Sequence, residues 1–328
     1  MAHPYVSGHK PNRYSGRSRV KSAGCNIALE RNFPLPPSRM RILLDSKDLI
    51  NLIEHSKPLS VPEFNDWLGR KHGTLVYSMQ NIRGITGPIG MNALHVARIR
   101  RYLDDLEQLP HCFIRADIDS GELESAARCF IADREFETIN PYVSRFDQVL
   151  PSFAGYGRPT YRLRDTVSDL WKKHPILFQT RPDLQAMFGL GLSISRTRPP
   201  KFLIASEPAL LASIADSLQS QHGLDSTTAN DVARWIEADA SRCPGLRFIQ
   251  ALGVAMSNNT TYAARRDDMF DMSQLLALPY VEAATVDRTM LDYVSRARNV
   301  TRRVKGDLTT LPPTFRDLQT LLNFCDRA

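Results

Sequence analysis

Four aspartates in this chain have the chemistry and spacing to hold a hard divalent cation: Asp45, Asp268, Asp271 and Asp287. Mg²⁺ and Mn²⁺ take oxygen ligands, mostly carboxylates and waters. Asp45 and Asp287 each end a short apolar run, MRILLD and EAATVD. Asp268 and Asp271 are three residues apart, which puts them on one face of a helix. Carboxylates gathered at one point repel one another unless a cation neutralises them. A cation held there activates water and steadies the charge that develops on a phosphodiester. Each residue alone also has a plainer reading. An aspartate after a strand caps the following helix, and an acid in a first helical turn favours the helix dipole. The combination is what points to a site.

The elements that must position these acids can be read from periodicity. MRILLD runs into SKDLINLIEH, whose apolar residues recur at helical spacing, so a strand leads into a helix. Ser60, Pro62 and Glu63 mark the start of a second helix over Ser60 to Lys71. GTLVYSM (Gly73 to Met79) and HCFIRADI (His111 to Ile118) read as further strands, separated by a long helix from Asn92 to Gln108 that Leu109-Pro110 closes. Gly121 to Phe136 has helical composition. From Asn140 to Phe248 there is a Gly/Pro-punctuated stretch, Pro151 to Pro159. It is followed by helix-like segments at Leu163–Lys173, Asp183–Leu192, Pro208–His222 and Thr227–Ala240. Asp267 to Ala297 reads as helix, strand, helix, with Pro279 stopping the first helix because it lacks an amide proton. This alternation implies an α/β sandwich with a mostly parallel sheet. Such sheets bind ligands beyond the carboxyl ends of their strands, where Asp45 and Asp287 fall.

Composition narrows the class. The 328 residues, 42% of them hydrophobic, can bury a full core. No run approaches the roughly 18 consecutive apolar residues of a membrane span, and the first residues lack a signal-peptide core. The five cysteines are scattered and form no CxxC, which argues against a disulfide framework or a zinc knuckle. A cytoplasmic protein without a membrane partner is expected. The net charge of +7 suggests nucleic acid until it is located. Residues 1–39 hold seven Lys/Arg and one acid, which leaves 35 basic against 34 acidic side chains in the rest. The surplus therefore belongs to a basic tail, read as a disordered leader upstream of Met40 or as an arm that touches phosphates.

ILLDSKDLINLIE resembles the opening of PIN-like nucleases: an apolar strand, an aspartate, a small hydroxyl residue and a helix. DDMFDMSQLLALPYVEAATVDR is similar to the closing part of bacterial PIN-like proteins, an acid-bearing helix, a Pro-Tyr break and a strand ending in Thr-x-Asp. The resemblance covers Met40–Gln108 and Asp267–Ala297. It implies a Rossmann-like α/β/α sandwich and a Mg²⁺- or Mn²⁺-dependent endoribonuclease acting on RNA, or on DNA, with a protein inhibitor or antitoxin as a further partner. By the same resemblance Asp45, Asp271 and Asp287 are catalytic and metal-coordinating, Asp268 is an additional acid and Ser46 a polar support. The implied division is a tail at 1–39, a PIN-like domain at 40–300 with a helical insertion at about 140–248, and a helical extension at 301–328.

One departure matters. The family's Ser-x-x-Asn-x-x-Glu context places Gly84 where the glutamate belongs, and Gln274 stands where a DxxH variant has histidine. Three explanations stay open. Another acid such as Glu122 completes the site, three acids suffice, or the chain is a degenerate member that binds nucleic acid or a partner without cutting. Other chemistries lack support: GxSxG, GxGxxG and GxxxxGK[ST] are absent, and no histidines pair at metal-ligand spacing. A phosphatase would want a second aspartate where Lys47 stands. Arg98, Arg100 and Arg101, interleaved with Asp104, Asp105 and Glu107, suit a solvated helix. Arg298, Arg302 and Arg303, in the basic run one helix beyond Asp287, are the candidates for gripping nucleic-acid phosphates.

Overall fold

The computed structural model describes residues 40–87, 93–153, 161–175, 185–186, 189–190, 208–239, 241–263, 265, 268–301 and 311–327. The basic tail, Arg302, Arg303 and most of the segment expected as a helix over Asp183–Leu192 lie outside these residues. The chain begins with β1 (Met40–Leu43), α1 (Ser46–His55), α2 (Val61–Lys71), β2 (Gly73–Tyr77), α3 (Met79–Thr86), α4 (Ala93–Glu107), β3 (His111–Ile114), α5 (Ile118–Ile131) and β4 (Tyr142–Val143). It continues with α6 (Leu163–Lys173), α7 (Pro208–His222), α8 (Ser226–Glu237), α9 (Pro244–Ser257), α10 (Asp268–Leu275), β5 (Ala283–Thr285), α11 (Arg288–Thr301), β6 (Thr314–Phe315) and α12 (Leu318–Cys325).

Among the described residues six strands form one sheet in the order β4-β3-β2-β1-β5-β6, with every pairing parallel except β3 with β4. Alternation along the strands divides the core in two. Ile42 and Leu44 from the β1 segment, with Leu75, Tyr77 and Phe113, pack under α1 to α4, α6 and α12. Leu43, Val76, Cys112 and Ala284 face the other way, onto α9, α10 and α11. Strands buried on both faces read as continuous apolar runs, which is why MRILL and GTLVY show no polar alternation. The mostly parallel α/β class expected from the sequence is therefore present, with helices on both faces of the sheet.

Two boundaries expected from the sequence change. Residues 140–248 are not a single helical insertion. Within them β4 joins the sheet, and α6 buries Leu163, Val167 and Leu170 in the first core. Helix α9, which starts at Pro244, places Phe248, Ala251 and Leu252 in the second core. Among the described residues, the α7–α8 pair forms a separate cluster, packing Ile214, Leu218, Val232 and Ile236 against Leu123 and Ala126 of α5. Nor is 301–328 a mere extension, since β6 pairs with β5 and α12 buries Leu318, Leu321 and Leu322. Trp67 Nε1 donates to Asp326 Oδ1 at 2.9 Å, which ties the far end of α12 to α2.

Candidate functional site

The sheet's order reverses at β1. From there the chain builds outward through β2 and β3 on one side, and β5 and β6 fill the other. The carboxyl ends of two strands on either side of such a switch diverge and leave a crevice. Leu43 of β1 lies opposite Ala284 of β5, so Asp45 and Asp287 emerge from neighbouring strand ends. Asp45, Asp271 and Asp287 together line one cleft at this place, with Gln274, Thr285, Leu275, Val286 and Met290. The cleft is small, about 20 Å³, room for about one water or a bare cation rather than an organic molecule.

Backbone and hydroxyl contacts fix its frame. The Asp45 amide donates to Thr285 Oγ1 at 2.8 Å, across 240 residues of sequence. The carbonyl of Leu44, just before Asp45, accepts from Asn81 Nδ2 of α3 at 2.7 Å and from Gln274 Nε2 of α10 at 3.2 Å. Asn81 in turn shares a reciprocal cap with Ser78 at the start of α3. So Ser78 and Asn81, which precede Gly84 in the stretch where a glutamate is expected, hold helix and strand together. Asp287 opens α11, its Oδ1 accepting from the amides of Thr289 and Met290 at 2.6 and 3.1 Å. Asp271 is half-buried in the first turn of α10.

Electrostatics mark the same spot. The Asp45 carboxyl is pushed up to about 6, first by burial, then by the charges of Asp48 and Asp287, while the Ser46 and Lys47 amides draw it down. Burial likewise raises Asp48, against hydrogen bonds from the Thr285 hydroxyl and the Leu318 amide that lower it. Asp48 is the acid that sequence reading passed over. It sits in α1 among charged neighbours and looks like a solvated residue, yet it is buried. Thr285 thus accepts from the Asp45 amide and donates to the Asp48 carboxylate. No periodicity signals this role; the Thr-x-Asp ending of β5 was the only cue.

The other sequence candidates fall elsewhere. Asp268 is buried, and its Oδ2 accepts from the Tyr262 hydroxyl and the Arg265 amide. It is not among the residues lining the cleft. Glu122 is fully buried on α5, accepting from the amides of Gly245 and Leu246 at 2.7 and 2.8 Å and from the Tyr280 hydroxyl. It caps α9 instead of completing the acidic cleft, and burial pushes its carboxyl up to about 7. Arg298 spends its Nη2 on the Pro312 carbonyl and Thr314 Oγ1, bracing the approach to β6. Ser46 packs on α3 at Gly84, where an added Cβ would stand 2.4 Å from Ser46 Oγ and 2.7 Å from its Cβ. That position has no room for a fourth acid.

The donor set is all oxygen, and mutual repulsion already penalises the charge on Asp45, so the chemistry suits a hard cation. Among the described residues, however, no three His, Cys, Asp or Glu side chains form a group close enough to hold an ion by themselves. Mg²⁺ needs no such cage, since it is commonly bound through about one or two carboxylates with waters and substrate phosphate completing the shell. No family model, curated protein or solved structure matches the chain. Among the described residues no helix is long and apolar enough to cross a membrane.

Proposed function

We propose that this chain is a metal-dependent endoribonuclease of PIN-like type, which hydrolyses RNA phosphodiesters at the cleft between β1 and β5. The observation that carries this reading is the convergence of Asp45, Asp271 and Asp287, from three separate parts of the sequence, at the sheet's switch point. Asp45 and Asp287 would hold Mg²⁺ or Mn²⁺ directly, with Asp271 as the third acid. The ion, when bound, supplies a water of lowered pKa and charge for the phosphoryl oxygens. The remaining work belongs to the chain's own residues. Thr285 and the paired amides of Asn81 and Gln274 fix the backbone that presents Asp45. The α11 amides orient Asp287. Leu275, Val286 and Met290 give the cleft an apolar wall that limits bulk water and keeps the charges strongly coupled.

A second reading, a chain of this type that binds RNA, DNA or an inhibitor protein without cutting, is favoured by the close approach of Gly84 to Ser46. One experiment separates the two. Cleavage of single-stranded RNA in Mn²⁺ is measured for the wild type and for Asp45→Asn, beside Mn²⁺ binding by calorimetry. The nuclease reading expects cleavage and metal binding in the wild type and the loss of both in the variant. A wild type that binds RNA, takes up no metal and leaves every RNA and DNA intact would establish the second reading instead.

A further inference from the structure

The acids of the cleft leave a place to fill. Among the described residues they do not by themselves form a group tight enough to hold an ion. Position 84, where a further acid is expected, lies against Ser46 and has no room for one. A fourth carboxylate would also add to the burial and to the charges of Asp48 and Asp287 that already oppose ionisation of Asp45. The cleft therefore has use for an oxygen that carries no charge.

Gln274 presents one. It stands three residues after Asp271 on α10, so the two share a helix face. Both line the cleft beside Asp45 and Asp287. The Gln274 side chain is 9% exposed, and its Nε2 donates to the Leu44 carbonyl at 3.2 Å. A carbonyl only accepts, so this bond fixes which end of the amide meets the backbone and turns Oε1 away from it. Among the described residues no donor reaches Oε1, yet the atom is not sealed from solvent. The open space that Gln274 borders is the acidic cleft. An oxygen so placed takes its partner from whatever occupies the cleft. At about 20 Å³, the cleft leaves no layer of water between an ion and these walls. Carbonyl oxygens, like carboxylates, suit Mg²⁺ and Mn²⁺.

We propose that Gln274 Oε1 is a direct ligand of the cation, a neutral fourth oxygen beside Asp45, Asp271 and Asp287. It stands in for the acid that position 84 has no room to carry. The proposal rests on the reading of the cleft as a metal-dependent phosphodiester site. It gives α10 two ligands three residues apart, one charged and one neutral.

The test uses the full chain, with Mn²⁺ binding measured by calorimetry in neutral buffer and RNA cleavage in Mn²⁺ read beside it. Gln274→Met keeps the volume and removes the oxygen, while the Leu44 carbonyl keeps its bond from Asn81 at 2.7 Å. In an EDTA melt it should match the wild type. It should bind Mn²⁺ at least about tenfold more weakly, the lower end of what even an outer-shell contact is worth to a metal site. Gln274→Glu loses the same donor to Leu44 but returns an oxygen with a charge. It should bind Mn²⁺ about tenfold more tightly than the wild type, through the added attraction. A residue that only positioned the backbone through Leu44 would weaken binding in both variants. That result, or a Gln274→Met protein with unchanged Mn²⁺ affinity, overturns the proposal. If Gln274→Met does not fold, Gln274→Glu decides alone, and Mn²⁺ affinity no higher than the wild type's overturns the proposal. A wild type that takes up no Mn²⁺ overturns it as well. If cleavage depends on Asp45 while both Gln274 variants bind Mn²⁺ as the wild type does, this proposal alone fails. If the two variants shift Mn²⁺ affinity in opposite directions and no RNA is cut, the nuclease reading fails and the ligand stands.

Discussion

Replacing Gly84 with alanine tests the geometry on which the question of a fourth acid turns. A Cβ at that position would meet Ser46 Oγ at 2.4 Å and Ser46 Cβ at 2.7 Å, both well inside contact distance. Rotating the hydroxyl away leaves the Cβ contact in place, so α1 and α3 must separate. Overpacking of this kind costs about 1–3 kcal/mol, while alanine in place of glycine within a helix returns up to about 1 kcal/mol. The expected net effect is a loss of about 1–2 kcal/mol, read in urea as a lower midpoint with an unchanged slope. Ser46→Gly removes both offending atoms. In the double variant Ser46→Gly/Gly84→Ala the penalty should disappear, giving a coupling of more than about 1 kcal/mol in a double-mutant cycle. Gly84→Glu should be at least as destabilised as Gly84→Ala and should gain no RNA cleavage. A Gly84→Ala protein as stable as the wild type, or a double variant that shows no rescue, would refute the reasoning.

Asp45 gives a stability prediction with a definite sign. Its folded carboxyl is raised to about 6, so the fold is penalised where the group ionises. The penalty is absent below the ordinary pKa of about 4, grows as pH rises through about 6 and is complete above that. In EDTA at neutral pH, Asp45→Asn should be more stable than the wild type by on the order of 2 kcal/mol, with the gap closing in acid; a denaturation series across pH reads it. Mn²⁺ should raise the melting temperature of the wild type but not of Asp287→Asn, a variant whose amide oxygen still caps α11. Glu122→Ala should cost about 3 kcal/mol or more by stranding two amides and a tyrosine hydroxyl, and should leave cleavage per folded molecule unchanged. Thr285→Val should lower stability by about 1–3 kcal/mol and weaken Mn²⁺ binding in calorimetry, because the Asp45 amide and the Asp48 carboxylate lose the same partner.

What could be read in advance, and what could not, divides by the range of the physical signal. Local periodicity placed β1, α1, β2 and β3, and the Ser60 capping box at α2 appeared as expected. The segments Leu163–Lys173 and Pro208–His222 are helices over those spans. Helix α3 was passed over, because its eight residues are short and its cap uses Asn81 where the pattern leads one to look for Glu or Gln. β4 and β6 have two residues each, too few to show any period, and sheet pairing alone defines them. The site divides in the same way. Asp45 and Asp287 announce themselves by ending strands. The burial of Asp48 depends on Thr285 and Leu318, far along the chain, and no window around Asp48 contains that information. The same distance explains Glu122, whose partners at Gly245, Leu246 and Tyr280 turn an apparent spare acid into a helix cap.

The placement of β1 has a consequence for how the protein is made. β1 is the earliest strand of the described chain and lies inside the sheet, yet its neighbour β5 follows about 240 residues later in synthesis. At roughly 5–20 residues per second, one side of β1 stays unpaired on the ribosome for on the order of 10–50 s. During that time MRILL presents an apolar strand edge of the kind that recruits foreign strands. Pairings across so long a loop are also slow to close. Nascent chains halted before Ala283 should therefore collect in chaperone complexes or aggregates, and release should coincide with emergence of the segment that carries Thr285 and Asp287. The acidic cleft and the protection of the sheet are completed by the same late stretch of polypeptide.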